Sequence, residues 1–338
     1  MFILLNTYEF DTILSKSLNK GKDYITMKEE IKRSSANCNA RTDLALEVRE
    51  SFEEDNVEVS GVVLEEDYVQ DKDIKITRVI IKDEHGQAAM GKPIGTYITI
   101  EAPRLQEDDE TYHEPLTEEI VKYIKELLGE DKEGEVLIAG LGNREVTPDA
   151  LGPKVVDNLF VTRHLIREYG EEFKQKNQME SMSAIAPGVM GQTGMETSEI
   201  LKGIIKQTKP KCLIAIDALA ARSVSRLNTT IQITDTGISP GSGVGNHRNA
   251  LNEECLGVKV IAIGVPTVVD GATIVNDTLE RFLDGKGFSE EEMYKFMEEV
   301  REKMVCNMFV TPKGIDDAVK RISYTISEAL NQCFCQTI

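Results

Sequence analysis

The chain has 338 residues, 41% of them hydrophobic and 29% charged, and a mass of 37.6 kDa. At roughly 100–200 residues per domain this allows two or three domains, and so ordinary a composition argues against wholesale disorder or a collagen-like repeat. Lys and Arg number 39 against 58 Asp and Glu, a formal net charge of −19, which repels phosphate backbones and argues against direct nucleic-acid binding.

Residues 1–40 are polar, mixed in charge and without a sustained period, and read as an N-terminal arm. The opening Met1-Phe2-Ile3-Leu4-Leu5 has no basic flank and stops at Asn6, too short for a signal core. No run approaches the ~18 apolar residues of a membrane span, so no membrane contact is expected. Residues 41–130 form a small β-rich region, with strands expected at 61–64, 74–82 and 96–101 between acidic loops. A helix is predicted over 117–128, with Thr117 as N-cap and Glu118 and Glu119 in the first turn, where the helix dipole favours negative charge.

Residues 131–332 read as an α/β core. The apolar runs 136–139, 212–216 and 258–263 are continuous rather than alternating, as in strands covered on both faces. Between them lie predicted helices over 153–169, with Pro153 in the first turn, and over 197–208; a third, over 289–304, opens on a Ser289/Glu292 capping box. The expected fold class is α/β, a mostly parallel or mixed sheet flanked by helices. Residues 333–338 read as a tail. It carries Cys333 and Cys335, the closest pair among six cysteines (with Cys38, Cys212, Cys255 and Cys306); no CxxC pair occurs, and free thiols in a reducing cytoplasm are expected.

Ligands of open parallel sheets bind beyond the carboxyl ends of the strands. Gly140-Leu141-Gly142-Asn143 follows the first run and leads to Asp149; Asp217 follows the second. Asp149 alone suits a helix N-cap, and Asp217 alone suits a turn or an ion pair. Together, two carboxylates at one sheet edge can share a proton, leaving one acid and one base, as peptide hydrolysis requires. Three glycine-rich loops are candidates for holding substrate or an oxyanion through backbone N–H groups: one with Gly142 and Asn143, one with Gly188 and Gly191, one with Gly243 and Gly245. None matches a dinucleotide or P-loop pattern, and no cofactor is expected. Gly237-Ile238-Ser239-Pro240-Gly241 has the letters of a nucleophile elbow, but Pro240 lacks the N–H that such an elbow needs. The four histidines, His85, His113, His164 and His247, show no metal spacing. His247 alone follows a glycine-rich loop.

Several blocks together resemble one known family. They are Arg41-Thr42-Asp43-Leu44-Ala45-Leu46-Glu47, Gly140-Leu141-Gly142-Asn143 with Val146-Thr147-Pro148-Asp149-Ala150-Leu151-Gly152-Pro153, Pro187-Gly188-Val189-Met190-Gly191, Ala215-Ile216-Asp217-Ala218-Leu219-Ala220-Ala221-Arg222-Ser223, Pro240-Gly241-Ser242-Gly243-Val244-Gly245-Asn246, Gly264-Val265-Pro266-Thr267 and Phe309-Val310-Thr311-Pro312-Lys313. In these the sequence is similar to the germination protease (spore protease) family of endospore-forming bacteria. The resemblance implies an endopeptidase that degrades small acid-soluble spore proteins during germination. It further implies a phosphorylase/hydrolase-like core related to hydrogenase maturation proteases, a homotetramer, a zymogen trimmed near its N-terminus, and a site in the cytoplasm of the forespore and spore core. The family's essential aspartates carry over to Asp149 and Asp217. The related maturation proteases use acidic residues at these positions for metal, so a metal-dependent hydrolase is the alternative, and a non-enzymatic anion-binding module the second.

The resemblance also gives the N-terminal block a meaning. The family cuts within a Thr-Glu-(Phe/Ile)-Ala-Ser-Glu-(Phe/Ile)-like stretch, after the first acid, and Thr42-Asp43-Leu44-Ala45-Leu46-Glu47-Val48 has the same order of residue types. The chain is thus expected to imitate its own substrate and to be cut between Asp43 and Leu44. A substrate with an acid before the cut calls for a cationic pocket, for which Arg163, Arg222 and Arg226 are the candidates. Two departures stand out: a longer arm before Arg41, and a shorter stretch at 284–304.

Overall fold

The computed structural model describes residues 42–53, 59–69, 72–129, 134–241, 249–271, 273–275, 278 and 308–335. The chain divides into two units, Met1–Ala40 and Arg41–Ile338, and every described residue belongs to the second.

In chain order the described elements are α1 (Ala45–Glu53), β1 (Val62–Val69), β2 (Ile74–Ile81), α2 (Glu84–Met90), β3 (Gly95–Glu101), α3 (Glu110–Leu128), β4 (Val136–Gly140), α4 (Leu151–Asp157), α5 (Arg163–Lys176), β5 (Met182–Ile185), α6 (Thr197–Thr208), β6 (Cys212–Ala221), β7 (Thr230–Thr234), β8 (Lys259–Asp270), β9 (Phe309–Val310) and α7 (Ile315–Phe334). The strands form one sheet in the order β1-β2-β3-β7-β8-β6-β4-β5, with β9 on the end of β8. β8, β6, β4 and β5 run parallel. β1, β2, β3 and β7 continue the sheet antiparallel, joined to it by β7–β8. The expected α/β class, with a mixed sheet flanked by helices, is what the chain adopts.

The apolar runs explain the layering. Ile138, Ile214, Ile216, Ile261 and Ile263 alternate onto one face, under α3, α4 and α7. Leu137, Ala139, Leu213, Ala215 and Val260 take the other face, where Leu201 of α6 packs. Each such side chain, removed from water, contributes about 1.5–3 kcal/mol, which is why the runs Val136–Ala139 and Cys212–Ile216 are apolar throughout.

Several elements differ from expectation. Helix α7 runs to Phe334, and Cys335 is buried and paired with Met179 in an isolated β-bridge, so residues 333–335 are not a tail. β8 runs on to Asp270. Three further differences concern helices and β6. Helix α3 begins at Glu110 rather than Thr117, capped by Asp109, whose side chain accepts the Thr111 N–H. Tyr112 and Leu116, one turn apart and both buried, extend its apolar stripe back past Pro115, and Thr117 lies inside the helix. The single helix expected over 153–169 is two, α4 and α5, because the chain between them is drawn into other bonds. Phe160 N–H donates to Asn331 Oδ1 of α7, and Thr162 N–H to Met182 O of β5. Finally, β6 does not stop at Asp217 but runs on to Ala221. The helix expected over 289–304 lies outside the described residues, as do Cys38, Cys306 and His247. Cys212, Cys255, Cys333 and Cys335 are free thiols.

Candidate active site

β4 ends at Gly140, and the chain turns over the carboxyl edge of the sheet; Leu141 N–H donates to Ile216 O at 2.8 Å. Gly142 takes φ +109°, and a methyl group there would meet Asp149 O at 2.0 Å, so only glycine lets the two strands of this loop touch. Asn143 N–H then donates both to Asp149 O at 3.1 Å and to its carboxylate Oδ2 at 2.9 Å. A short 3-10 turn, Thr147–Asp149, presents the aspartate. The turn is pinned from two sides: Thr267 Oγ1 of β8 donates to Pro148 O at 2.7 Å, and Thr147 Oγ1 to Asp316 of α7 at 3.0 Å. Asp149 is not the cap of α4; that position is Ala150, and it has no side-chain cap.

Asp217 lies one residue past the last β4–β6 pair, Gly140↔Ile216, and pairs with Gly264 of β8. It is only 4% exposed, in the middle of a strand. Alternation along β6 puts it on the face of Leu213, Ala215 and Leu219. Gly152, three residues after Asp149, packs so closely that an added Cβ would stand 2.6 Å from Ile216 O, immediately before Asp217. The turn bearing Asp149 and the strand bearing Asp217 therefore meet at one carboxyl edge. Among the described residues, no group of three His, Cys, Asp or Glu side chains converges to hold a metal ion.

The loop of Gly188 and Gly191 reaches the same edge, where Gln192 Nε2 donates to Asn143 Oδ1 at 3.1 Å. Gly243 and Gly245 lie outside the described residues. The three arginines part company. Arg163 pairs with Glu135 at 2.9 Å, just ahead of β4 and hence at the sheet's opposite end. Arg222 and Arg226 follow β6 and meet the N-terminal segment.

That segment is docked. Asp43 N–H donates to Ala220 O, and Ala220 N–H to Asp43 Oδ2, each at 2.9 Å. Leu44 is buried with Leu219, Ala221, Leu227 and Val269. Ala45 N–H donates to Gln232 Oε1 of β7 at 2.8 Å. Lys92, which the sequence reading missed, donates to Asp43 O at 3.0 Å and Thr42 O at 3.4 Å. Burial pushes the Lys92 pKa down, while Asp43 and Glu47 act the other way. Its only mark in the sequence is its place between Gly91 and Pro93, and no motif points to it.

Arg226 gathers three carboxylates: Glu50 at 2.6 Å, Glu101 at 3.0 Å and Glu47 at 3.6 Å. Burial, joined by the charges of Glu101 and Glu47, raises the Glu50 pKa against the opposing pull of Arg226. A carboxyl whose folded pKa is raised favours the fold most at acid pH, and that contribution fades as pH rises through the folded value. Glu50→Gln, which is never charged, is therefore expected to gain stability relative to the parent between pH 4 and pH 7. Thermal melting of both proteins at the two values checks this, and an unchanged difference in Tm refutes it.

The sequence profile described as germination protease matches residues 38–289. The chain belongs to the germination protease family. A relative named germination protease from Caldanaerobacter subterraneus subsp. tengcongensis is 49% identical, over 86% of this chain and 93% of its own length. Others with that name from Clostridium perfringens and Bacillus cytotoxicus are 44% and 40% identical, over 87% and 86% of this chain and 94% and 92% of theirs. The chain is accordingly a peptidase of spore germination. A solved NiFe hydrogenase maturation protease, HycI from Thermococcus kodakarensis KOD1, is 15% identical with a TM-score of 0.31, over 62% of this chain and 99% of its own, too slight a likeness to bear on the chemistry.

Proposed function

We propose that Asp149 and Asp217 work as a coupled carboxylate pair of an atypical aspartic-type endopeptidase. One takes a proton from water, whose oxygen attacks the scissile carbonyl carbon; as the C–N bond breaks, the other gives a proton to the leaving amine. Two carboxylates close together cannot both ionise freely, which leaves one protonated at neutral pH, and the pair titrates as a unit. The observation that carries this reading is the packing of Gly152 on Ile216, which joins the Asp149 turn to the Asp217 strand. No step is routed through a metal; the alternative, a metal-dependent hydrolase with the same two aspartates as ligands, is separated from this reading by the chelator experiment below.

On the same reading the substrates are small acid-soluble spore proteins, and the enzyme is a zymogen that cuts itself between Asp43 and Leu44. The docking of this bond against β6, three residues beyond Asp217, supports the self-cleavage. The enzyme assembles as a homotetramer in the cytoplasm of the forespore and spore core. After exhaustive EDTA treatment it is expected to cleave a peptide containing Thr-Glu-Phe-Ala-Ser-Glu at an undiminished rate, and its matured form to begin at Leu44. Loss of activity with chelator, restored by added metal, overturns the metal-free mechanism; a matured N-terminus elsewhere overturns the processing site.

A further inference from the structure

Glu47 is 5% exposed, yet its carboxylate is fully provided for. Arg222 N–H donates to Oε2 at 2.7 Å, Ser223 N–H donates to Oε1 at 2.9 Å, the Thr42 hydroxyl donates to Oε2, and Arg226 Nε lies 3.6 Å from Oε1. Two successive N–H groups at the end of a strand, with a guanidinium from the 3-10 turn Val224–Arg226 that follows, make an anion cradle of one short stretch of chain. Ahead of it, Ala220 exchanges two hydrogen bonds with Asp43, Lys92 holds two backbone carbonyls, and Leu44 fills an apolar pocket. Most of these partners are backbone atoms or apolar side chains, which would receive a separate extended peptide in the same way.

We propose that the end of β6, from Ala220 to Arg226, is a recognition groove for acidic peptides. The Arg222/Ser223/Arg226 cradle in it selects an acidic side chain three residues beyond an apolar one, and Thr42–Glu47 competes with incoming peptide for the groove. The proposal rests on the reading above for the chemistry done beside the groove, but not for binding itself.

The test is fluorescence anisotropy of a labelled Thr-Asp-Leu-Ala-Leu-Glu-Val peptide on the full chain carrying Asp217→Asn, which keeps the peptide whole. Adding Glu47→Gln to that chain loosens the resident segment and is expected to tighten peptide binding about 10-fold or more. On this doubly substituted chain, a peptide with Gln in place of its Glu is expected to bind about 10- to 100-fold more weakly than the parent peptide. Adding Arg226→Gln is expected to shrink that preference. Equal binding of the two peptides to the Glu47→Gln chain overturns the cradle, and that comparison needs no change at Arg226, whose other ion pairs bear on folding. If the acidic peptide is preferred but never cut by the chain with both aspartates intact, the carboxylate mechanism fails and the groove stands. If both peptides are cut equally well, the groove fails and the mechanism stands.

Discussion

Replacing Asp149 or Asp217 by asparagine is expected to leave the fold intact and to lower peptidase turnover about 10²–10⁴-fold, the usual scale for a lost general acid or base. The fold survives at both sites because asparagine keeps a side-chain acceptor for a backbone N–H. Asparagine at 149 keeps a side-chain oxygen for the Asn143 N–H that Asp149 Oδ2 now accepts at 2.9 Å. At 217 it keeps one for the Ala218 N–H, accepted by Oδ1 at 3.0 Å. What the amide cannot do in either place is take up and release a proton. The double variant is expected to be little worse than either single one, because groups that act as a unit are not additive. Turnover of the acidic peptide by the two single variants and the double variant measures this, with melting curves to show that each is folded. Near-parent turnover in one single variant removes that residue from the chemistry, and losses that multiply in the double variant exclude a coupled pair.

Gly142→Ala is expected to be the most damaging single methyl group in the site. Its φ of +109° is a region that L residues rarely adopt, and the new Cβ would stand 2.0 Å from Asp149 O and 3.1 Å from Asp149 Oδ1. Overpacking of this kind costs about 1–3 kcal/mol, and an unfavourable backbone region about 1–3 kcal/mol more. Backbone, not a flexible side-chain end, is what the methyl meets, so relief requires moving the Asp149 turn itself. Both stability and turnover should therefore fall, with turnover falling further than the melting temperature alone accounts for. Gly191→Ala is the contrast, because a Cβ there meets nothing within 4 Å. If Gly142→Ala turns over peptide at the parent rate, the close approach of this loop to Asp149 has no part in the activity.

The parallel half of the fold was legible because its strands are covered on both faces, and Val136 to Ala139 or Cys212 to Ile216 can then be nothing but apolar. Asp217 ends its apolar run directly, and Asp149 follows the other run by ten residues, across the Gly140–Asn143 loop. Legibility ends where distant chain decides. Thr162 leaves the helical path for hydrogen bonds to β5, with a partner 20 residues away. Lys92 meets carbonyls 50 and 49 positions earlier. Arg163 and Arg226 look alike as lone cations beside apolar runs, and only the three-dimensional path sends one to Glu135 and the other to Glu47. Local spacing carries none of this information.

The joining of β3 to β7, from Tyr97↔Thr234 to Glu101↔Thr230, ties the fate of the two halves together. Deleting the chain through β3 would strip one side of β7, a strand buried along its whole length, and leave a row of bare amide and carbonyl groups beside exposed apolar side chains. Such a margin recruits any extended polypeptide, including more of itself. The N-terminal strands are thus no detachable module: they are the sheet's guard against polymerising.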